Sequence, residues 1–224
     1  MYESEALWRD VDAYFVATLI EEDDALVEAR ESGRLTTMPR AEVAPNQGKL
    51  LALLAQVANA TRILEFGTLA GYSTIWLARA VGEHGLVTTL ELEEQNAAVA
   101  RANLERAGVS HRVEIIVGPA AESAQRLIAA GTEAYDFVFI DADKPSNPDY
   151  LRAALQLSHL GSLIIIDNVV RNGAVVDADS QDERVRGVRA ALDDIAKDPR
   201  LEATSLQTVG SKGWDGFTLI RRAS

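Results

Sequence analysis

From Arg62 onward the chain alternates between short unbroken apolar runs and longer stretches rich in alanine and leucine. The runs "RILEF", "LVTTLEL", "RVEIIV", "YDFVFI" and "GSLIIID" are dense in β-branched and aromatic residues and predict five strands. Strands covered on both faces by helices are apolar throughout instead of alternating, so these runs predict a parallel sheet with crossover helices. Near the end, "LEATSLQTV" and "GWDGFTLIRR" read as two more strands around a glycine-rich turn. Their connection is too short for a crossover, which makes them an antiparallel pair. The expected fold is α/β, a doubly wound, mostly parallel seven-stranded sheet with an antiparallel terminal hairpin.

Ahead of the strands, "SEALWRDVDAYFVATLIEEDDALVEAR" places Leu7, Val11, Phe15, Leu19 and Leu26 near helical spacing on one face, which predicts an added helix. A turn-rich passage, "SGRLTTMPRAEVAPNQG", and an apolar helix from about Lys49 to Asn59 then lead into the first strand. After the fifth strand, "VRGVRAALDDIAKD" reads as another helix. No repeat, low-complexity tract or linker interrupts this order. Residues 1–224 are expected to form one domain, with 1–45 as an N-terminal helix and loop and 46–224 as its core.

Composition narrows the classes of partner. With 47% hydrophobic residues over 224 positions, the chain can bury one sizeable core. Its 22 Lys and Arg against 34 Asp and Glu leave a formal charge of −12, and no basic run interrupts the acidity, so no nucleic-acid partner is expected. The opening "MYESEALWRD" is acidic and unlike a secretory signal. Between Ala153 and Ile166 lies the longest uncharged segment, 14 residues. A membrane-spanning helix needs about 18 or more. A soluble protein with no membrane partner is expected. Zero cysteines exclude disulfides, thiolate zinc ligands and a cysteine nucleophile, and fit a cytoplasmic location. His84, His111 and His159 share no spacing and are expected in surface or capping roles, while Trp76 is expected in a helix core.

The first candidate for chemistry is "ILEFGTLAGYS", where Gly67 and Gly71 stand at the turn from the first strand into a helix. Doubly wound folds bring ligands against bare backbone at this position. Leu69 breaks the G-x-G-x-x-G fingerprint of dinucleotide sites, which weakens a nicotinamide reading. Taken alone, the glycines serve a tight turn equally well. Glu91, at the end of the second strand and 20 positions beyond Gly71, adds an acid at the offset that grips ribose hydroxyls. S-adenosylmethionine meets these requirements. Ser73 and the amides after Gly67 could hold its carboxylate, with Glu65 near its polar end.

The fourth strand runs into "DADK" and the fifth into "DN". Asp141, Asp167 and Asn168 should therefore emerge at the carboxyl ends of adjacent strands, where open α/β sheets bind ligands. Capping and turn formation explain either pair alone, for Asp143 as well as Asp141. Together, beside a glycine turn, they form an all-oxygen set suited to a hard divalent cation, foremost Mg²⁺. Lys144 follows Asp141 closely enough to face the same cavity and accept a proton there.

These motifs, in this order, resemble the cation-dependent class I O-methyltransferases of the catechol and caffeoyl-CoA type. The similarity spans roughly Met38 to Asp177 and rests on "LEFGTLAGYS", "GPA" at Gly118 to Ala120, "FIDADK" and "DNVVRNGAVV". It implies a Rossmann-like methyltransferase fold, with Asp141, Asp167 and Asn168 as metal ligands and Lys144 as catalytic base. Val43, Glu65, Gly67, Thr68, Ser73, Glu91 and Ala120 would line the methyl-donor site, and Asp141 would touch both donor and metal. The cofactors implied are S-adenosylmethionine and Mg²⁺, or another divalent cation such as Mn²⁺ or Ca²⁺. The partners implied are a hydroxylated aromatic small molecule and, from the apolar first helix as well, a second copy of the chain in a homodimer. Trp8 and Trp214 are left open between core, interface and acceptor wall.

The expected reaction is in-line methyl transfer to one hydroxyl of a vicinal pair held by the cation. Free lysine has a pKa of about 10.4, so Lys144 acts as a base near neutrality only if its surroundings lower that value. Two rival readings share the fold: a nicotinamide-dependent oxidoreductase and a non-catalytic S-adenosylmethionine-binding regulator.

Overall fold

The computed structural model describes residues 5–224. Three helices, α1 (Glu5–Leu19), α2 (Asp24–Ser32) and α3 (Pro45–Val57), precede the first strand. Then come β1 (Arg62–Phe66), α4 (Tyr72–Ala80), β2 (Leu86–Glu91), α5 (Glu94–Arg106), β3 (Val113–Val117), α6 (Ala120–Ala129), β4 (Tyr135–Ile140), α7 (Asn147–Gln156) and β5 (Ser158–Asp167). The chain closes with α8 (Glu183–Lys197), β6 (Leu201–Gly210) and β7 (Gly213–Arg222). The seven strands form one sheet in the order β3-β2-β1-β4-β5-β7-β6. The first five pair in parallel, and β7 pairs antiparallel with both β5 and β6. Among the described residues no helix is long and apolar enough to cross a membrane.

The apolar runs become strands because helices cover both faces of the sheet. Ile63, Phe137, Phe139 and Ile165 point into one core with Leu26, Leu51 and Ile75 of the helices. Their neighbours Leu64, Val138, Ile140 and Ile164 point into the other, against Leu151, Val188 and Ile195. Phe137, Val138, Phe139 and Ile140 are all fully buried, which no one-sided strand would allow. Each such side chain contributes about 1.5–3 kcal/mol of transfer free energy, enough to fix the register of β4 between β1 and β5.

The N-terminal region corrects one expectation. It is two helices, not one, because Asp23 ends the extended link after α1 and its carboxylate accepts from Leu26 N at 3.1 Å, capping α2. The apolar stripe divides accordingly. Leu26 is fully buried, whereas Leu7, Val11, Phe15 and Leu19 of α1 remain 45% to 71% exposed. At the opposite edge of the sheet from the strand ends, His159 Nε2 lies 2.8 Å from Asp136 Oδ1, and Asp136 Oδ2 accepts from Thr61 N and Arg62 N. That histidine fastens strand beginnings, in line with the structural role expected of it. Trp76 is buried in α4, as expected.

Candidate active site

The carboxyl ends of β2, β1, β4 and β5 lie side by side, and the chain leaves β1 and β4 in opposite directions. This reversal makes the crevice in which doubly wound folds bind ligands. Gly67 follows β1 with φ +97, and a Cβ there would stand 2.3 Å from the carbonyl oxygen of Asp141. Only glycine lets the two strand ends approach so closely, and Asp141 N donates to Phe66 O at 2.9 Å across the gap.

Glu91 is buried where β2 ends, and both its oxygens are occupied. Oε2 accepts from Thr68 N at 3.2 Å and Leu69 N at 2.8 Å, while Oε1 accepts from Glu93 N and Asn96 Nδ2, each at 3.0 Å. The acid picked out by its spacing therefore also shapes the glycine loop. Thr68 is turned inward, its hydroxyl 2.7 Å from that of Thr89. Glu65 is fully buried and accepts hydroxyl hydrogen bonds from Ser73 at 2.6 Å, Thr74 at 2.5 Å and Thr89 at 2.7 Å. Burial pushes its carboxyl up to about 7 despite these three donors, and the nearby negative charge of Asp141 adds to the rise. Gly118 N donates to Glu91 O at 2.8 Å, which brings Ala120, the first residue of α6, to the same strand end.

Of the two aspartates in "DADK", Asp143 takes the capping role, accepting from Ser146 N and Oγ and from the Tyr150 hydroxyl. Asp141 instead accepts from Lys144 Nζ at 2.7 Å, with the lysine side chain only 8% exposed. Helix α8 closes over this turn: a Cβ on Gly187 would lie 2.1 Å from the Lys144 carbonyl oxygen. Asp167 is buried at the end of β5. Burial first, and the charge of Asp141 second, push its carboxyl up to about 7, against the opposing influence of Lys144, the Asn168 backbone and the Gln47 side chain. Asn168 follows in the left-handed region with φ 56. Asp215 braces the loop beyond it by accepting from Val170 N at 3.0 Å and Arg171 N at 3.1 Å.

A cavity of about 350 Å³ opens onto Asp167 and Asn168, walled by Val43, Gln47, Leu50 and Phe217. Asp167, buried, and Asp141, partly exposed, converge on one lysine, and the donor atoms of both acids are oxygen, which fits a hard divalent cation. Among the described residues no three His, Cys, Asp or Glu cluster closely enough to hold a metal. A cation here would need the Asn168 amide oxygen plus water or substrate oxygens. Gln47, Asp215 and Asp12, which also lines this cavity, were not among the expected site residues. Their sequence signals are weak: Asp12 lies in α1, Gln47 in the first turn of α3 and Asp215 in β7, and they reach the site through space and not through spacing.

A doubly wound sheet with a glycine loop after β1 and an acid ending β2 defines a class I S-adenosylmethionine-dependent methyltransferase fold. An O-methyltransferase family model matches residues 17–223, and the chain belongs to that family. A catechol O-methyltransferase of Mycobacterium tuberculosis is 48% identical over 210 residues, covering 94% of each chain. One from Niastella koreensis is 45% identical over 213 residues, covering 95% of this chain and 96% of its own. Among solved structures, the O-methyltransferase TomG of Streptomyces achromogenes, in complex with S-adenosylmethionine, superposes with a TM-score of 0.96. It is 45% identical, over 99% of this chain and 100% of its own. An O-methyltransferase from Bacillus cereus in complex with S-adenosylhomocysteine gives 0.94 at 48% identity, covering 98% and 100%. The protein is an S-adenosylmethionine-dependent O-methyltransferase, which displaces both rival readings of the fold.

Proposed function

We propose that the enzyme depends on a divalent cation and methylates one hydroxyl of a vicinal dihydroxy aromatic, working as a single O-methyltransferase domain. The observation that carries this reading is the meeting of Asp141, Asp167 and Lys144 at adjacent strand ends, beside a cavity of about 350 Å³. The names of the two catechol O-methyltransferase relatives support the acceptor class. Asp141, Asp167 and Asn168 would hold Mg²⁺, or Mn²⁺ or Ca²⁺ in its place. Bound there, the cation would supply positive charge that favours the ionised hydroxyl and fixes two neighbouring oxygens.

Lys144 takes the acceptor's hydroxyl proton at Nζ, and Asp141 orients that nitrogen through their 2.7 Å contact. Leu50 and Phe217 wall the ring, and the lysine is buried away from water. Val43, Glu65, Gly67, Thr68, Ser73, Glu91 and Ala120 form the donor side, with Asp141 between donor and cation, and S-adenosylmethionine would supply the methyl group there. The oxygen–methyl bond forms as the sulfur–methyl bond breaks, and the proton leaves on Lys144. Mass spectrometry of a reaction with catechol, S-adenosylmethionine and Mg²⁺ tests this reading. Equal amounts of monomethyl ether and S-adenosylhomocysteine support it, and an unmodified catechol refutes it.

Two expectations accompany the proposal. Glu91→Ala removes the carboxylate that would accept the ribose hydroxyls and also frees the Thr68 and Leu69 amides. Calorimetry should show S-adenosylmethionine affinity falling by about tenfold or more, since hydrogen bonds to charged groups are worth roughly 1.5–3 kcal/mol. Unaltered affinity would remove Glu91 from the donor site. The second concerns assembly. The exposed stripe of Leu7, Val11, Phe15 and Leu19 is a contiguous apolar face of the kind that marks association, so a homodimer is expected. Light scattering at micromolar concentration should give twice the mass of one chain; a monomer would contradict it.

A further inference from the structure

We infer that the methyl acceptor carries an anionic substituent, of the carboxylate class, and that Arg40 receives it at the mouth of the acceptor cavity. The inference rests on the vicinal-dihydroxy reading and extends it. The cavity at Asp167 and Asn168 continues into an outer one of about 930 Å³, and Asp12, Arg40, Glu42, Lys212 and Gly213 line both. A chain of net charge −12 would repel an anionic substrate unless its entrance were locally positive.

The outer wall has a small excess of positive charge, five basic side chains against four acids. Two of the acids are paired, Glu22 with Arg30 at 3.3 Å and Glu42 with Lys212 at 2.8 Å, while Glu31 has no ion pair or side-chain hydrogen bond among the described residues. Asp12 accepts from Asn46 Nδ2 at 3.0 Å and Ser211 N at 2.7 Å. Arg34 donates only to a backbone oxygen, that of Glu31, at 3.1 Å. Arg40, which unlike Arg34 also lines the inner cavity, has no ion pair or side-chain hydrogen bond among the described residues.

The position of Arg40 is held in place. Its backbone adopts φ +64, a region that a long side chain occupies only when its surroundings impose it. The Lys212 ammonium imposes it by donating to Arg40 O at 2.9 Å and to Glu42 Oε1 at 2.8 Å, which ties the 40–42 segment to the turn between β6 and β7. Arg9 lines only the outer wall and is likewise unpaired among the described residues, so at the junction of the two cavities the free guanidinium is that of Arg40, suited to bidentate contact with a carboxylate.

The test compares two catechols, one with a propanoate side chain and one with the matching propanamide. The methylenes insulate the ring hydroxyls from the charge, so a difference in KM reports binding at the tail. Because Arg40 is exposed and partly screened, the wild type should show a KM about two- to fivefold lower for the acid than for the amide. Arg40→Gln should bring the ratio close to one, chiefly by raising KM for the acid, since a contact made equally before and during transfer acts on KM and not on kcat. Arg40→Lys should restore part of the ratio. Equal KM values in the wild type, or parallel changes for both compounds in Arg40→Gln, would overturn the role of Arg40 while leaving the vicinal-dihydroxy reading intact. Failure to methylate either compound would overturn both.

Discussion

Lys144→Met is expected to keep donor and cation binding and to lose turnover by ~10²–10⁴-fold, the usual worth of a proton acceptor in the transition state. Methionine matches the length of the lysine stem, so it fills the buried space that stem occupies without opening a cavity. Lost activity would then report the missing nitrogen, not a collapsed turn. Asp143 still caps that turn through Ser146, independently of Lys144. The informative measurement is single-turnover methyl transfer at neutral pH, beside calorimetry for S-adenosylmethionine and Mg²⁺. Full-speed transfer with intact binding would assign the proton to another acceptor.

Asp167→Ala should abolish activity together with its response to cations. In the wild type, chelator should remove activity and Mg²⁺ or Mn²⁺ should restore it. Burial and the neighbouring Asp141 hold the Asp167 carboxyl up to about 7, so its ionised form is disfavoured until a cation joins the pair. Removing it relieves that unfavourable contact, and the variant should fold. The wild type should gain thermal stability from Mg²⁺, about 2.7 kcal/mol at a hundredfold excess over Kd. Asp167→Ala should gain almost none. A variant that still responds to Mg²⁺ with a wild-type shift would place the cation elsewhere.

Much of the fold is legible in the chain because the physics that shapes it is local. Phe137 to Ile140 are apolar without alternation, since both faces of β4 are covered, and the short link between β6 and β7 leaves only antiparallel pairing. Asp141 and Asp167 stand out because each ends such a run with a charge at the edge where ligands bind. The break between α1 and α2 is harder to see. Its apolar spacing continues across the gap, and only the capping carboxylate of Asp23 separates the helices. Gln47, Asp215 and Arg40 carry no pattern at all. Their positions depend on which loops meet across the cavity, as when Lys212 reaches back to Arg40 O over 172 residues of sequence. Glu91 lies between these cases: its spacing marks it, but its hold on the Thr68 and Leu69 amides appears only in the folded chain.

In the proposed reaction a cation held by Asp141, Asp167 and Asn168 would orient two neighbouring acceptor oxygens. Three such ligands would leave about three places on a cation that prefers six, enough for a chelating catechol and a water. A monophenol can fill one place and is free to pivot, and a misplacement of about 1 Å can cost ~10²-fold in rate. The most direct test measures initial rates for a catechol and its matched monophenol, each with excess EDTA and again after Mg²⁺ is restored. Fast methylation of the catechol alone, and only with Mg²⁺ present, is the predicted result; equal rates for both compounds in EDTA would contradict it.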